Sequence, residues 1–78
     1  MLNIIGERMR EARLDKGMMQ KYLGEKAGIS RNQICCYENE DERRRKYPSL
    51  FTLICIADVL DVSLDWLTGR TDKKEVNR

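Results

Sequence analysis

Apolar residues recur along this chain at the three- and four-residue intervals of helices. Ile5, Met9 and Ala12 stand at i, i+4 and i+7, with Leu2 adding to the stripe one turn earlier, and predict a first helix from about Asn3 to Lys16. Arg8, Arg10, Glu11 and Asp15 fill the opposite side, Leu14 falls on the outer face, and Gly17 is a natural stop. Arg13 lies beside the apolar stripe, where it is either a solvated flank with a buried stem or a partly buried ion-pair partner. Met18 is expected in the core. Leu23 and Ala27 mark a second helix that opens at Gln20, and Gly28 ends it where a positive φ costs little. Met19 stands at its N-cap without a polar oxygen, and Gly24 sits in its interior. Each costs about 1 kcal/mol, so this helix depends on tertiary packing. Close approach by the third helix would explain a small residue at Gly24.

Ser30 then opens Ser-x-x-Gln with Gln33, a capping-box signature, and Ile34 and Tyr37 carry an apolar face at i and i+3. One helix stops and the next starts within about three residues, which forces a sharp crossing. Arg31, Asn32, Gln33, Cys35 and Cys36 are left for the other surfaces. Arg, Asn and Gln fit base edges in a major groove, so this segment reads either as a DNA-reading helix or as an ordinary polar one.

Glu38 follows, then the segment 39–48, whose acidic half could extend the third helix by a turn and whose basic half forms a loop. Ser49 caps a fourth helix from about Leu50 to Leu60 with Leu50, Leu53, Ile54, Ala57 and Leu60 as its core stripe. A second apolar line, Phe51, Cys55 and Val59, recurs at i, i+4, i+8 nearly opposite that stripe. It is either covered by the tail or the fifth helix, or is a surface for self-association or a partner protein. Ser63 caps a short fifth helix, Leu64 to Thr68, that contributes Leu64, Trp66 and Leu67, and Gly69 ends it. The expected organisation is one all-α domain over residues 1–69 and a charged, flexible tail over 70–78.

Composition narrows the function. The chain has 78 residues, 41% hydrophobic and 36% charged, which fits one small globular domain. No apolar run approaches a membrane span, and the N-terminus lacks a signal-peptide core, so a cytoplasmic location is the default. Net charge is only +2, yet Arg43, Arg44, Arg45 and Lys46 are consecutive, just beyond the candidate reading helix. Taken alone that run would be a solvated loop. The absence of histidine excludes Ser-His and Cys-His catalysis. Cys35, Cys36 and Cys55 lack zinc-ligand spacing and read as reduced thiols, so no metal or other cofactor is implied. No carboxylate pair or phosphate-cradling glycine motif stands out, and the chain is not expected to be an enzyme.

Together, IGERMREAR, Gly17, Gln20 and Leu23, the run Ala27-Gly28-Ile29-Ser30, Ile34, Tyr37-Glu38, Pro48-Ser49-Leu50, Leu53, Ile56-Ala57, Leu60, Val62-Ser63-Leu64 and Trp66-Leu67 resemble the phage repressor/Cro-like, or XRE-type, helix-turn-helix regulators. The resemblance spans about Ile5 to Gly69. It implies a compact five-helix bundle like the lambda repressor DNA-binding domain, with the helix-turn-helix at helices two and three. It implies that Arg31, Asn32 and Cys36 face bases, with Gln33 and Cys35 at the flanks, and that Gln20 touches backbone phosphate. Arg13 and Glu38 match an internal salt bridge of some relatives. The chain departs from the family pattern at Cys36, often a longer polar residue, at Glu40, often a loop glycine, and at Met19, usually a polar cap.

The function expected from these features is sequence-specific binding of double-stranded DNA by a transcriptional regulator, a repressor acting as a homodimer on a near-palindromic operator. Arg31, Asn32, Gln33 and Cys36 would read bases, and Gln20, Arg43, Arg44, Arg45 and Lys46 would contact the phosphate backbone. The alternative is an antitoxin-type module that masks a protein partner while also binding DNA, with Phe51, Cys55 and Val59 as the dimer or partner surface. No membrane partner is expected.

Overall fold

The computed structural model describes residues 4–76, so Leu2 and Asn3 of the expected first helix and the last two residues of the tail lie outside it. Five helices follow in order: α1 Ile4–Asp15, α2 Gln20–Ala27, α3 Arg31–Tyr37, α4 Leu50–Leu60 and α5 Leu64–Leu67. No strand occurs among the described residues, and none of their helices is long and apolar enough to cross a membrane.

The helix boundaries follow local chemistry. Gly17 takes a positive φ after α1, and the Met18 amide reaches back to the Arg13 carbonyl at 2.9 Å, closing the orphan carbonyls of the last turn. Ser49 and Ser63 each accept an amide hydrogen bond from the third residue beyond them, which fixes the starts of α4 and α5. Asp61, with φ of 53°, ends α4 in the left-handed region, and the Val62 amide bonds the Ala57 carbonyl behind it.

Met9, Ala12, Leu23, Ile34, Tyr37, Leu53, Ile56, Ala57, Leu60, Val62, Trp66 and Leu67 form the core, with Ile5, Met18, Ala27, Ile29, Val59 and Leu64 packed at its margin. The stripe expected on α4 is rotated. Leu50 and Ile54, expected inside, are 66% and 41% exposed, and Ile56 is buried instead. A helix apolar on most sides does not reveal its phase from periodicity, because two adjacent stripes satisfy the same spacing. Val59 belongs partly to the core margin and Cys55 is half-buried, so the Phe51, Cys55 and Val59 line is open chiefly at Phe51.

Arg8, expected on the solvent side of α1, instead lies 4.9 Å over the Trp66 ring and donates to the Trp66 carbonyl and, at 2.8 Å, to the Thr71 carbonyl. Lys74 stands 5.1 Å from the same ring and pairs with Asp15 and Glu11 of α1. The Ser63 amide donates to the Lys74 carbonyl at 2.9 Å. Residues 70–76 form no helix, but these contacts tie 71–74 across α1 and the start of α5.

Candidate nucleic-acid interface

The α2–α3 unit is built around a glycine contact. A Cβ placed on Gly24 would stand 2.6 Å from the Ile29 carbonyl oxygen and 3.4 Å from the Arg31 nitrogen. The turn backbone, more than the body of α3, thus explains the small residue in α2. Gly28 adopts φ of 77°, and the Ile29 amide bonds the Gly24 carbonyl at 2.9 Å. The α2 end of the turn is thereby satisfied by backbone groups. Met19 makes no side-chain cap bond, which leaves α2 dependent on Leu23 and its contacts with α3 and α4.

At the start of α3 the capping box is complete. Ser30 Oγ accepts from the Gln33 amide at 3.1 Å, and Gln33 Oε1 accepts from the Ser30 amide at 2.9 Å. Ile34 and Tyr37 are buried, which turns the opposite arc of α3 outward. Arg31, Asn32 and Cys35 are exposed on that arc and Cys36 is half-buried beside them. Gln33 is exposed as well, but its carbonyl oxygen is engaged in the cap. Two-point pairing with an adenine, which needs both amide atoms, would break it. Cys35, assigned a flank by the resemblance, lies between Arg31 and Asn32 in helical projection, so a small apolar contact is part of this surface.

A buried ion pair stands behind the unit. Arg13 donates from Nε and Nη2 to both oxygens of the Glu38 carboxylate at 3.0 and 2.9 Å, and from Nη1 to the Met18 carbonyl at 2.8 Å. The Arg13 and Glu38 side chains are 9% and 4% exposed. Of the two readings open for Arg13, the ion-pair partner is the one observed. Gln20, the first residue of α2, donates from Nε2 to Glu38 Oε1 at 3.3 Å. One carboxylate therefore joins the end of α1, the start of α2 and the end of α3.

The loop between α3 and α4 is internally built and does not extend α3. Asn39 Oδ1 accepts the Asp41 amide, Asp41 Oδ1 accepts the Arg43 amide, and the Asp41 carbonyl accepts the Arg44 and Arg45 amides. The Lys46 amide donates to the Cys36 carbonyl at 3.2 Å, which brings the basic run back to the carboxyl end of α3. Arg43 and Arg44 are highly exposed, 3.5 and 3.7 Å from the Asp41 carboxylate. Arg45 differs. Its guanidinium donates to the carbonyls of Asn39 and Glu40 and to the Tyr47 hydroxyl. Nothing in a run of four cations marks which one turns back onto its own loop, so this role was not visible in composition.

The described residues contain no group of three or more metal-ligating side chains, and the three cysteines are free. Arg31 and Asn32 thus present side-chain donors on the exposed arc of α3.

Comparison with known proteins gives a consistent picture. Residues 9–67 match the helix-turn-helix family. The chain is 33% identical over 73 residues to the HTH-type transcriptional regulator ImmR of Bacillus subtilis (strain 168), covering 94% of this chain and 54% of that protein. It is 32% identical over 72 residues to the HTH-type transcriptional regulator SinR of Bacillus licheniformis, covering 92% of this chain and 62% of that protein. The chain thus spans little more than half the length of these curated relatives. Among solved structures, the N-terminal DNA binding domain of SinR from Bacillus subtilis superposes with a TM-score of 0.74 at 31% identity, over 86% of this chain and 93% of that one.

Proposed function

The chain belongs to the XRE-type helix-turn-helix family, and from that premise we propose that it is a DNA-binding transcriptional regulator that reads sequence with α3. The observation that carries the reading is the outward arc of Arg31, Asn32, Cys35 and Cys36, held by a complete capping box and backed by Ile34 and Tyr37. A recognition helix of this kind enters the major groove with its amino-terminal residues foremost. Arg31 pairs with guanine O6 and N7 or with a phosphate, Asn32 pairs with adenine, and Cys36 meets a thymine methyl. Gln33 reads through its free amide nitrogen while its oxygen holds the cap.

Arg43, Arg44 and Lys46 neutralise phosphates, with Gln20 at the start of α2 as a further backbone contact. Arg45 joins this set by position but serves it mainly by shaping the loop. One recognition helix reads only a few base pairs, so the regulator acts as a homodimer, and as a repressor, on a near-palindromic operator with half-sites about 34 Å apart.

A second reading, an antitoxin-type module that holds a protein partner as well as DNA, draws on the apolar surface open at Leu50 and Phe51. Co-purification of a small protein with the native chain would favour it.

The direct test of the reading helix is Arg31→Ala, titrated against duplexes varied one base pair at a time. A loss of about 1–3 kcal/mol with relaxed preference at one position is expected. Equal affinity of wild type and variant for every duplex would refute the role of Arg31.

A further inference from the structure

Beyond α5 the chain does not leave the domain. Gly69 takes φ of 87° close against Ile4, where a Cβ would stand 3.1 Å from the Ile4 Cγ2, and the backbone then follows α1. The Thr71 carbonyl and the Asp72 carboxylate accept from Arg8 at 2.8 and 3.2 Å. Further along, Lys74 pairs with Asp15 at 2.5 Å and Glu11 at 3.5 Å while standing over the Trp66 ring. A backbone bond from the Ser63 amide to the Lys74 carbonyl closes the strap onto the start of α5. We propose that residues 70–75 are a salt-sensitive latch, which lifts from α1 and α5 as one unit while the five helices stay folded, with the Lys74 ammonium as its fastener.

The strap differs from the rest of the domain in what holds it. Val76 is the single apolar residue of segment 70–76 and is 38% exposed, so burial of apolar surface contributes little. Its side-chain contacts are charged, and Asp72, Glu11 and Asp15 are exposed. Pairs of this kind are individually weak and are screened by salt, whereas the helices rest on a buried apolar core. Beneath the strap runs a cleft of about 290 Å³, lined by Ala12, Leu60 and Val62 on one side and Lys74 and Glu75 on the other. Close-packed interiors leave no such space, so the strap covers its seat without interlocking with it. A segment with few apolar contacts and exposed fastenings opens at far lower cost than the whole domain.

Two cations share Trp66, and they have different roles. Arg8 also donates to the Trp66 carbonyl, so it keeps α1 joined to α5 when the strap lifts. Lys74 belongs to the strap, and its seat combines an aromatic face with two carboxylates of α1. Lifting the strap empties that seat, bares one face of Trp66 and releases the Ser63 amide. The folded unit therefore extends past α5, and its last segment has two states.

The test is amide hydrogen exchange of the full chain by NMR, for wild type, Lys74→Gln and Lys73→Gln. The Ser63 amide reports the strap, and the Leu67 amide, bonded to the Ser63 carbonyl at 2.9 Å, reports α5. Lys73→Gln removes the same charge from an exposed neighbour and serves as the control. In wild type, Ser63 should be protected, with a rate nearly independent of low urea, while Leu67 exchange rises steeply with urea. Salt at about 1 M, where the screening length is ~3 Å, should speed Ser63 exchange several-fold. Lys74→Gln should speed it at least about fivefold at low salt and remove most of the salt effect, while Lys73→Gln stays within about twofold of wild type. Quenching of Trp66, the single tryptophan, by acrylamide should rise in step with Ser63 exchange. Ser63 exchanging at the rate of an unstructured peptide in wild type overturns the docked strap. Equal urea dependence of Ser63 and Leu67 overturns separate opening. A Ser63 rate indifferent to salt, or equal in Lys74→Gln and Lys73→Gln, overturns Lys74 as the fastener.

Discussion

Glu38→Gln isolates the ion pair that backs the α2–α3 unit. The wild-type carboxylate is 4% exposed and accepts two hydrogen bonds from Arg13 and one from Gln20. Glutamine keeps the shape but removes the charge, and turns an amide donor toward a guanidinium that has nothing but donors. Arg13 then remains buried with its charge uncompensated except by the Met18 carbonyl. Breaking one partner of a buried pair costs about 3–5 kcal/mol. A domain of this size has about 4–12 kcal/mol in total, from the usual stability per residue. Taking the lower cost of ~3 kcal/mol and a shift of about 4–8 °C per kcal/mol, the melting temperature should fall by roughly 12–24 °C.

The assay is thermal unfolding by circular dichroism, combined with a double-mutant cycle using Arg13→Met. Because the penalty comes from the orphaned charge, Arg13→Met with Glu38→Gln should recover much of the loss, and the two single effects should fail to add by more than 1 kcal/mol. A melting temperature for Glu38→Gln within 2 °C of wild type would refute the reasoning, as would simple additivity across the cycle.

Three other outcomes follow from the same geometry. Gly24→Ala should destabilise the domain despite improving helix propensity by ~1 kcal/mol, because the new methyl meets a backbone oxygen and the turn must shift at about 1–3 kcal/mol; urea unfolding showing an equally or more stable variant would contradict this. Arg43→Ala and Arg44→Ala should each flatten the plot of log binding constant against log salt by about 0.9, whereas Arg45→Ala should weaken binding at nearly unchanged slope. Lys74 is held protonated above its ordinary pKa, chiefly by its hydrogen bond to Asp15 and then by the Asp15 and Glu11 charges. That stabilisation is fully present below the unfolded pKa of about 10.4 and fades as pH rises through the higher folded value. The stability deficit of Lys74→Met against wild type in urea should therefore be constant from pH 6 to 9 and shrink above pH 11.

The helix-turn-helix was legible in the sequence because its determinants are local. Ser30 and Gln33 announce the cap, Gly28 the stop, and Ile34 with Tyr37 the buried side of α3. Where several packings satisfy one pattern, legibility failed. Leu50 and Ile54 match a helical stripe as well as Ile56 does, and only contact with α1, α2 and α5 selects the phase. Arg8 looks like a surface cation by spacing, yet its long side chain folds over Trp66, whose neighbourhood is set by a residue 58 positions away. Arg45 is hidden in a run of like charges for the same reason: its partners are carbonyls, which no side-chain pattern records. The missing cap at Met19 and the interior Gly24 did signal that α2 is held by tertiary contacts, and the Gly24–Ile29 approach supplies one of them.

Selection and sequencing of bound duplexes from a random pool, at a fixed and stated salt concentration, tests the central claim most directly. Sequence reading by α3 predicts enrichment of a short motif repeated in inverted orientation, with half-site centres one helical turn, about 34 Å, apart. Substitution of Arg31 by Ala should erase preference at one position in each half. Recovery of an unenriched pool with wild-type protein, under conditions where the protein is folded, would contradict the assignment of α3 as a reading helix.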